Sequence, residues 1–410
     1  MTTIRYREIN SNSLGFALLL IALSTLIAAG LFAAYQMEHQ GHWITGMTNQ
    51  VVWGVPHVFA VFLIVAASGA LNIASLASVL RITFYRPFAR LSGLLAIALL
   101  IGGLLVLVLD LGQPGRLTVA LTTYNFKSVF AWNIILYTGF IIIVAVYLWM
   151  MMERKMNRYA GAVGLLALVW RLTLTTATGA IFGLLIAREA YDAAIMAPMF
   201  IAMSLSFGLA TFILILLAAY GRGRRTLAPA ALNRLKRLLG VFVAVVLYFE
   251  FARHLTAAYA AEHQNITAFL LFGQHGGAVY SGVFWVIQIG LGSLLPLALI
   301  YSPWSRNHRG LTGLAALLII VGGLAQLYVI IIGGQAYPLT LFPGYIESSA
   351  FFDGAVAAYR PSLFEVLLGF GGIGVALLLV LIGVAALNCL PVDLSERAIN
   401  PDTPSTPLHP

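Results

Sequence analysis

The chain has 410 residues, 61% hydrophobic and 9% charged, with a mean hydropathy of +0.94; it cannot build a water-facing surface and belongs in a bilayer. Its apolar runs are too long for tilted barrel strands, so a β-barrel is excluded along with a soluble core. A net charge of +9 in such a chain points to loops anchored by Lys and Arg rather than to nucleic acid, and the single cysteine, Cys389, excludes internal disulfides and an iron–sulfur cluster ligated by this chain, which needs about four thiolates.

Apolar runs bounded by charge, Pro or Gly predict an all-α polytopic membrane protein of about ten helices, near 14–36, 52–80, 91–110, 127–150, 161–187, 196–220, 238–259, 278–301, 311–334 and 363–389. The first follows Arg5 and Arg7 as a secretory leader would, but it outruns the roughly 7–15-residue apolar core of a leader and reads as an uncleaved anchor. The second opens with WGVPHVF: Pro56 suits a first helical turn, and Trp53 with His57 reads either as an interfacial anchor or as a polar group aimed into the bundle. The third ends in DLGQPGR, where Asp110 opposes the helix dipole and so pairs with Arg116 or handles a proton. Beyond it, Asn125, Lys127 and Ser128 either line a pocket or cap the fourth helix.

The fifth helix carries Arg171 well inside an apolar run, among Thr173, Thr175, Thr176 and Thr178. A charge there costs about 2.5–3.5 kcal/mol, so Arg171 needs a partner, a water-filled cavity or a route to the interface. In the seventh, YFEFARHL places Glu250, Arg253 and His254 on one face, as a structural ion pair or as a proton-handling site. The loop Ala336–Pro361, rich in Pro and aromatics, is long enough to require a cover, either its own bundle or a partner on the outer face. The tail INPDTPSTPLHP reads as a disordered end.

Seventeen of the 23 Lys and Arg residues fall in the N-terminus, the even-numbered loops and the tail, and 4 in the odd-numbered loops. By the positive-inside rule both termini are cytoplasmic. Arg222, Arg224, Arg225, Arg234, Lys236 and Arg237 form the strongest anchor. Glu38, Asp110, Glu189, Asp192, Glu262, Glu347 and Asp353 gather toward the opposite side with six of the eight histidines, so proton-active groups collect at the outer ends of the helices. Oxidation of a quinol would use such a set: an apolar cleft, hydrogen-bonding groups for two hydroxyls and an electron acceptor, the last of which the chain does not carry.

WGVPHVFAVFLIVAASGA, VLDLGQPGR and NFKSVFAWNIILYTGF resemble the NrfD or polysulfide-reductase membrane-subunit family. YLWMMMERKMNRY and AREAYDAAIMAPMFIAMS extend the similarity to the DsrP-type integral subunits of DsrMKJOP complexes in sulfur-metabolising bacteria. The resemblance implies two four-helix bundles, in 51–190 and 191–335, with flanking helices in 14–50 and 363–389, a short segment 1–13, an outer loop 336–362 and a cytoplasmic tail 390–410. It implies a multi-pass subunit of the bacterial inner membrane, not catalytically complete alone. Such a subunit exchanges electrons between menaquinone or ubiquinone and an outer-face ferredoxin-like [4Fe–4S] subunit. His57 and Asp110 then stand at the quinone pocket as catalytic and quinone-binding groups, with Arg116, Glu250, Arg253 and His254 as further binding or structural groups. A tyrosine that some members carry before the glycine of the fourth bundle helix is replaced here by Ile181 and Phe182 ahead of Gly183. Two other readings use the same residues: a b-type haem between His57 and His254, or a secondary transporter with buried charges at its site.

Overall fold

The computed structural model describes residues 4–221, 225–306, 308–339 and 355–395. Within them ten helices are long and apolar enough to cross a membrane: Leu14–Gln40 (α1), Val55–Ser78 (α2), Thr83–Leu109 (α3), Val129–Met152 (α4), Asn157–Gly183 (α5), Met196–Tyr220 (α6), Pro229–Tyr259 (α7), Ala278–Tyr301 (α8), Arg309–Ala336 (α9) and Leu363–Ala386 (α10). The chain is an all-α, multi-pass integral membrane protein. Residues 340–354 of the long loop, Arg222, Arg224 and the tail from 396 onward lie outside the described residues.

Two rings of helices account for the packing. α2 touches α3 and α5, and α4 closes the ring between them; α6, α7, α8 and α9 form the second ring. α2 joins the two, because its small residues let another backbone come close. A Cβ at Gly69 would overlap the Ser204 carbonyl oxygen of α6, and one at Gly208 would overlap the Ala70 backbone nitrogen. α2 is accordingly buried over 94% of its most apolar stretch, against 17% for α1. α10 lies along α1, α2 and α3, and α1 packs chiefly on α10.

Two of the described helices widen to π geometry. In α8 the turns Val283–Leu294 widen to π-helix just before Pro296, whose ring nitrogen has no hydrogen to donate to the preceding turn. α9 widens similarly over Val329–Gly333, next to its end at Gln335. α7 begins nine residues before the apolar run predicts, at Pro229 rather than 238. Leu232, Leu235 and Leu239 are buried on one side of the added turns, Arg234 lies over the Phe84 ring, and Lys236 donates to the Ser305 carbonyl. Much of the charge run that reads as a loop anchor is thus the amphipathic start of a helix.

Candidate functional site

At the rim opposite the termini, residues 50–54 lead into the first turn of α2, and side chains from elsewhere hold the backbone there. Gln335, buried at the end of α9, accepts from the Val52 and Trp53 amides at 2.9 and 3.0 Å and donates to the Trp53 carbonyl at 3.0 Å. Arg188 donates to the carbonyls of Gln50 and Gln335, at 2.8 and 2.9 Å. Glu365, fully buried in the first turn of α10, accepts from the amides of Gly46 and Ser362 at 2.8 and 2.7 Å and from the Tyr359 hydroxyl at 2.5 Å. That hydroxyl accepts in turn from the Val55 amide at 2.8 Å. Unpaired amides at a helix start are costly in an apolar setting, and this network satisfies them while fixing where α2 begins.

The fixed turn aims Trp53 and His57 at the end of α3. The two rings stack 5.3 Å apart and 11° from parallel, and Phe130, Phe182 and Tyr191 surround Trp53. His57 Nδ1 is 3.9 Å from Asp110 Oδ2, an ion-pair separation longer than a direct hydrogen bond. Asp110 Oδ1 is buried and has no hydrogen-bond partner among the described residues. His42 approaches the Asp110 backbone carbonyl through Nε2 at 3.2 Å. Asp110 sits just past the end of α3, and burial raises its carboxyl above the usual value, with the imidazoles of His57 and His42 offsetting part of the rise. The sequence offers Arg116 as its partner; Arg116 is instead exposed, and no ion pair joins the two.

Glu250, Arg253 and His254 do share one face of α7, and all three are buried. His254 Nε2 and Glu250 Oε1 are 3.1 Å apart, Arg253 Nη1 stands 3.7 Å from the same oxygen, and Gln326 of α9 donates to Glu250 Oε2 at 2.8 Å. Arg253 Nη2 donates to the Ala190 carbonyl. Glu250 borders a cavity of about 20 Å³ inside the second ring, room for one water, together with Gln288, Ser206 and Ser293. Arg253 and His254 line an open cleft of about 360 Å³ with Glu189 and Asp192. Buried Arg171 donates from Nη2 to Asn72 Oδ1 of α2 at 2.9 Å, while its Nε and Nη1 have no hydrogen-bond partner among the described residues.

Trp53, His57, Asp110 and His42 therefore meet at one place, and the α7 triad forms a second cluster on the other ring. Each of the two histidines weighed as haem ligands has its own local partner, His57 near Asp110 and His254 on Glu250. Gln335, Glu365 and Tyr359, which hold the site in position, are absent from the sequence-based set. Of these only Glu365 carries a readable sign, since Ser362 and Glu365 form a capping box.

The chain is similar to several integral membrane subunits of redox enzymes. It is 28% identical over 397 residues to the Hdr-like menaquinol oxidoreductase integral membrane subunit of Archaeoglobus fulgidus, covering 97% of this chain and 98% of the relative. It is 24% identical over 311 residues to the C chain of the Wolinella succinogenes polysulfide reductase, 70% of this chain and 96% of that one. It is 23% identical over 342 residues to the menaquinone reductase integral membrane subunit of Nitratidesulfovibrio vulgaris, 77% of this chain and 80% of the relative. The pattern of the polysulphide reductase NrfD family matches residues 43–338, the stretch that holds both helix rings and the Trp53–His57–Asp110 site, and the chain belongs to that family.

Proposed function

We propose that this chain is the quinone-interacting membrane subunit of a multi-subunit redox complex, and that Trp53, His57 and Asp110 form its head-group site. The observation that carries the reading is Asp110: a buried carboxyl with an unpartnered oxygen, beside an imidazole that is too distant for a direct hydrogen bond and is itself stacked on Trp53. These residues fit a quinone ring, which needs an apolar wall and hydrogen-bonding groups for its oxygens. A bound quinol supplies two electrons and two protons. On this reading His57 Nδ1 hydrogen-bonds one ring oxygen, and Asp110 takes the two protons in turn at its unpartnered oxygen, passing the first to the rim before it takes the second. Trp53, Phe182 and Tyr191 keep bulk water off the ring. Arg116 lies exposed beyond the rim as an electrostatic neighbour, while Glu250, Arg253 and His254 hold the second ring together and offer a further protonatable group.

The electrons need an acceptor or donor outside this chain, and a ferredoxin-like [4Fe–4S] subunit seated on the rim opposite the termini meets that need. The names of the relatives favour menaquinone over ubiquinone. On this reading the protein lies in a bacterial inner membrane with its termini in the cytoplasm, in an assembly of the DsrMKJOP kind. The test is cluster reduction by a quinol analogue in the assembled complex. His57→Leu and Asp110→Asn should each slow it on the order of a hundredfold, with the cluster-bearing subunit still co-purifying. Rates equal to wild type in both variants reject the site.

A further inference from the structure

The face that bears the termini carries a cleft of about 600 Å³ between the ends of α2, α3, α4 and α5 and the N-terminal segment. Arg81, Arg86, Arg90 and Arg158 line it, and among the described residues no carboxylate does. The first residues of α5, Asn157 to Gly161, open into it, adding the positive end of a helix dipole to the guanidinium charge.

Not all basic side chains on this face are available to a ligand. Arg225 donates to the carbonyls of Arg7 and Glu8, Arg309 to that of Leu227, and Arg234 lies over Phe84. Arg90 is likewise committed: it bridges the carbonyls of Asn388 and Met151 and lies over the Tyr6 ring, forming a fixed wall. Arg81 and Arg86 are exposed and make no side-chain hydrogen bond or ion pair among the described residues, and Arg158 lies only over the neighbouring Tyr159 ring.

Arg81 also stands where glycine is the usual residue. It lies three residues past the end of α2 with φ +55°, and the amide of Ile82 beyond it reaches back to the Leu76 carbonyl at 3.1 Å, a closure after a helix end that favours a residue without Cβ. A non-glycine residue there costs about 1 kcal/mol. The guanidinium it places over the cleft is a reason to bear that cost. Leu80 and Tyr159, the chain neighbours of Arg81 and Arg158, are large hydrophobic side chains left exposed beside them.

We propose that this cleft is a binding site for a phosphate-bearing anion, held by Arg81, Arg86 and Arg158, and that its source is the head group of an anionic lipid. Three guanidinium groups lining one cleft, no acid among its described lining residues and exposed apolar neighbours beside two of the arginines suit a phosphodiester at the membrane surface. The experiment is native mass spectrometry of the full-length protein in detergent, titrated with cardiolipin, phosphatidylglycerol or phosphatidylcholine. The wild type should retain the anionic lipids at least about tenfold better than phosphatidylcholine. The triple variant Arg81→Gln, Arg86→Gln, Arg158→Gln should lose that preference, while Arg234→Gln keeps it. Loss of the bound lipid to millimolar inorganic phosphate would assign the cleft to a soluble phosphate, and retention would assign it to the lipid. Equal retention of anionic and zwitterionic lipids by the wild type, or an unchanged preference in a triple variant that melts like wild type, overturns the site.

Discussion

Asp110 occupies a position that helix electrostatics disfavours, at the carbonyl end of α3, and burial adds to the penalty. Its carboxyl therefore binds a proton more tightly in the folded protein than in the unfolded chain. A carboxyl raised in this way contributes its full stability below the ordinary carboxylate value, and the contribution is lost as pH rises through the folded value. The expected outcome is that Asp110→Asn, which cannot ionise, gains on the wild type as pH rises across that window. Thermal melts of the two proteins between pH 4 and 8 check this, and a gap that stays constant or closes with rising pH would refute it. His57 and Asp110 were legible in the sequence because a titratable group at the edge of an apolar run stands out. Their pairing was not, since Arg116 is nearer in sequence and only the turn held by Gln335 and Glu365 brings His57 to the end of α3. Gln335 is neutral and lies among apolar residues, so nothing in a charge count draws attention to it.

At the scale of the helix, the seam between α2 and α6 decides how the two rings meet. Between helices in lipid there is little hydrophobic drive, so close backbone approach through small residues supplies the attraction. Gly69 and Gly208 permit that approach, and any side chain at either would meet backbone atoms that cannot turn aside. Gly208→Val should cost at least about 3 kcal/mol, or abolish recovery of monodisperse protein, because α2 and α6 would have to separate. Gly115→Ala, with nothing within 4 Å of the added carbon, should melt like the wild type. Equal stability of both variants would show that the seam does not hold the rings together. The number of spans was readable from hydropathy, while their ends were less so. α7 extends through Arg234, Lys236 and Arg237 because long basic side chains reach over aromatic rings or to a carbonyl while the leucines between them stay buried.

Across the whole molecule, ten spans return the chain to its starting side, so the N-terminal segment and the end of α10 share a face, and the backbone pairing of Tyr6 with Pro391 joins them there. That face carries most of the Lys and Arg, including the arginine cleft, while the Trp53–His57–Asp110 site lies at the opposite rim. The polarity matters for the proposed chemistry: on that reading, protons released at the site leave on the side where the proposed cluster-bearing partner sits. The proposed orientation, with the basic face in the cytoplasm, follows from the positive-inside rule. Cysteine labelling tests this in a favourable background, because the only native cysteine, Cys389, is fully buried. In right-side-out vesicles a membrane-impermeant maleimide should label Thr118→Cys, exposed just beyond Asp110, and should reach Ser11→Cys, exposed before α1, only after the membrane is opened. The reverse pattern would put His57 and Asp110 on the cytoplasmic side, and an outer-face partner could then no longer exchange electrons with a quinone bound there.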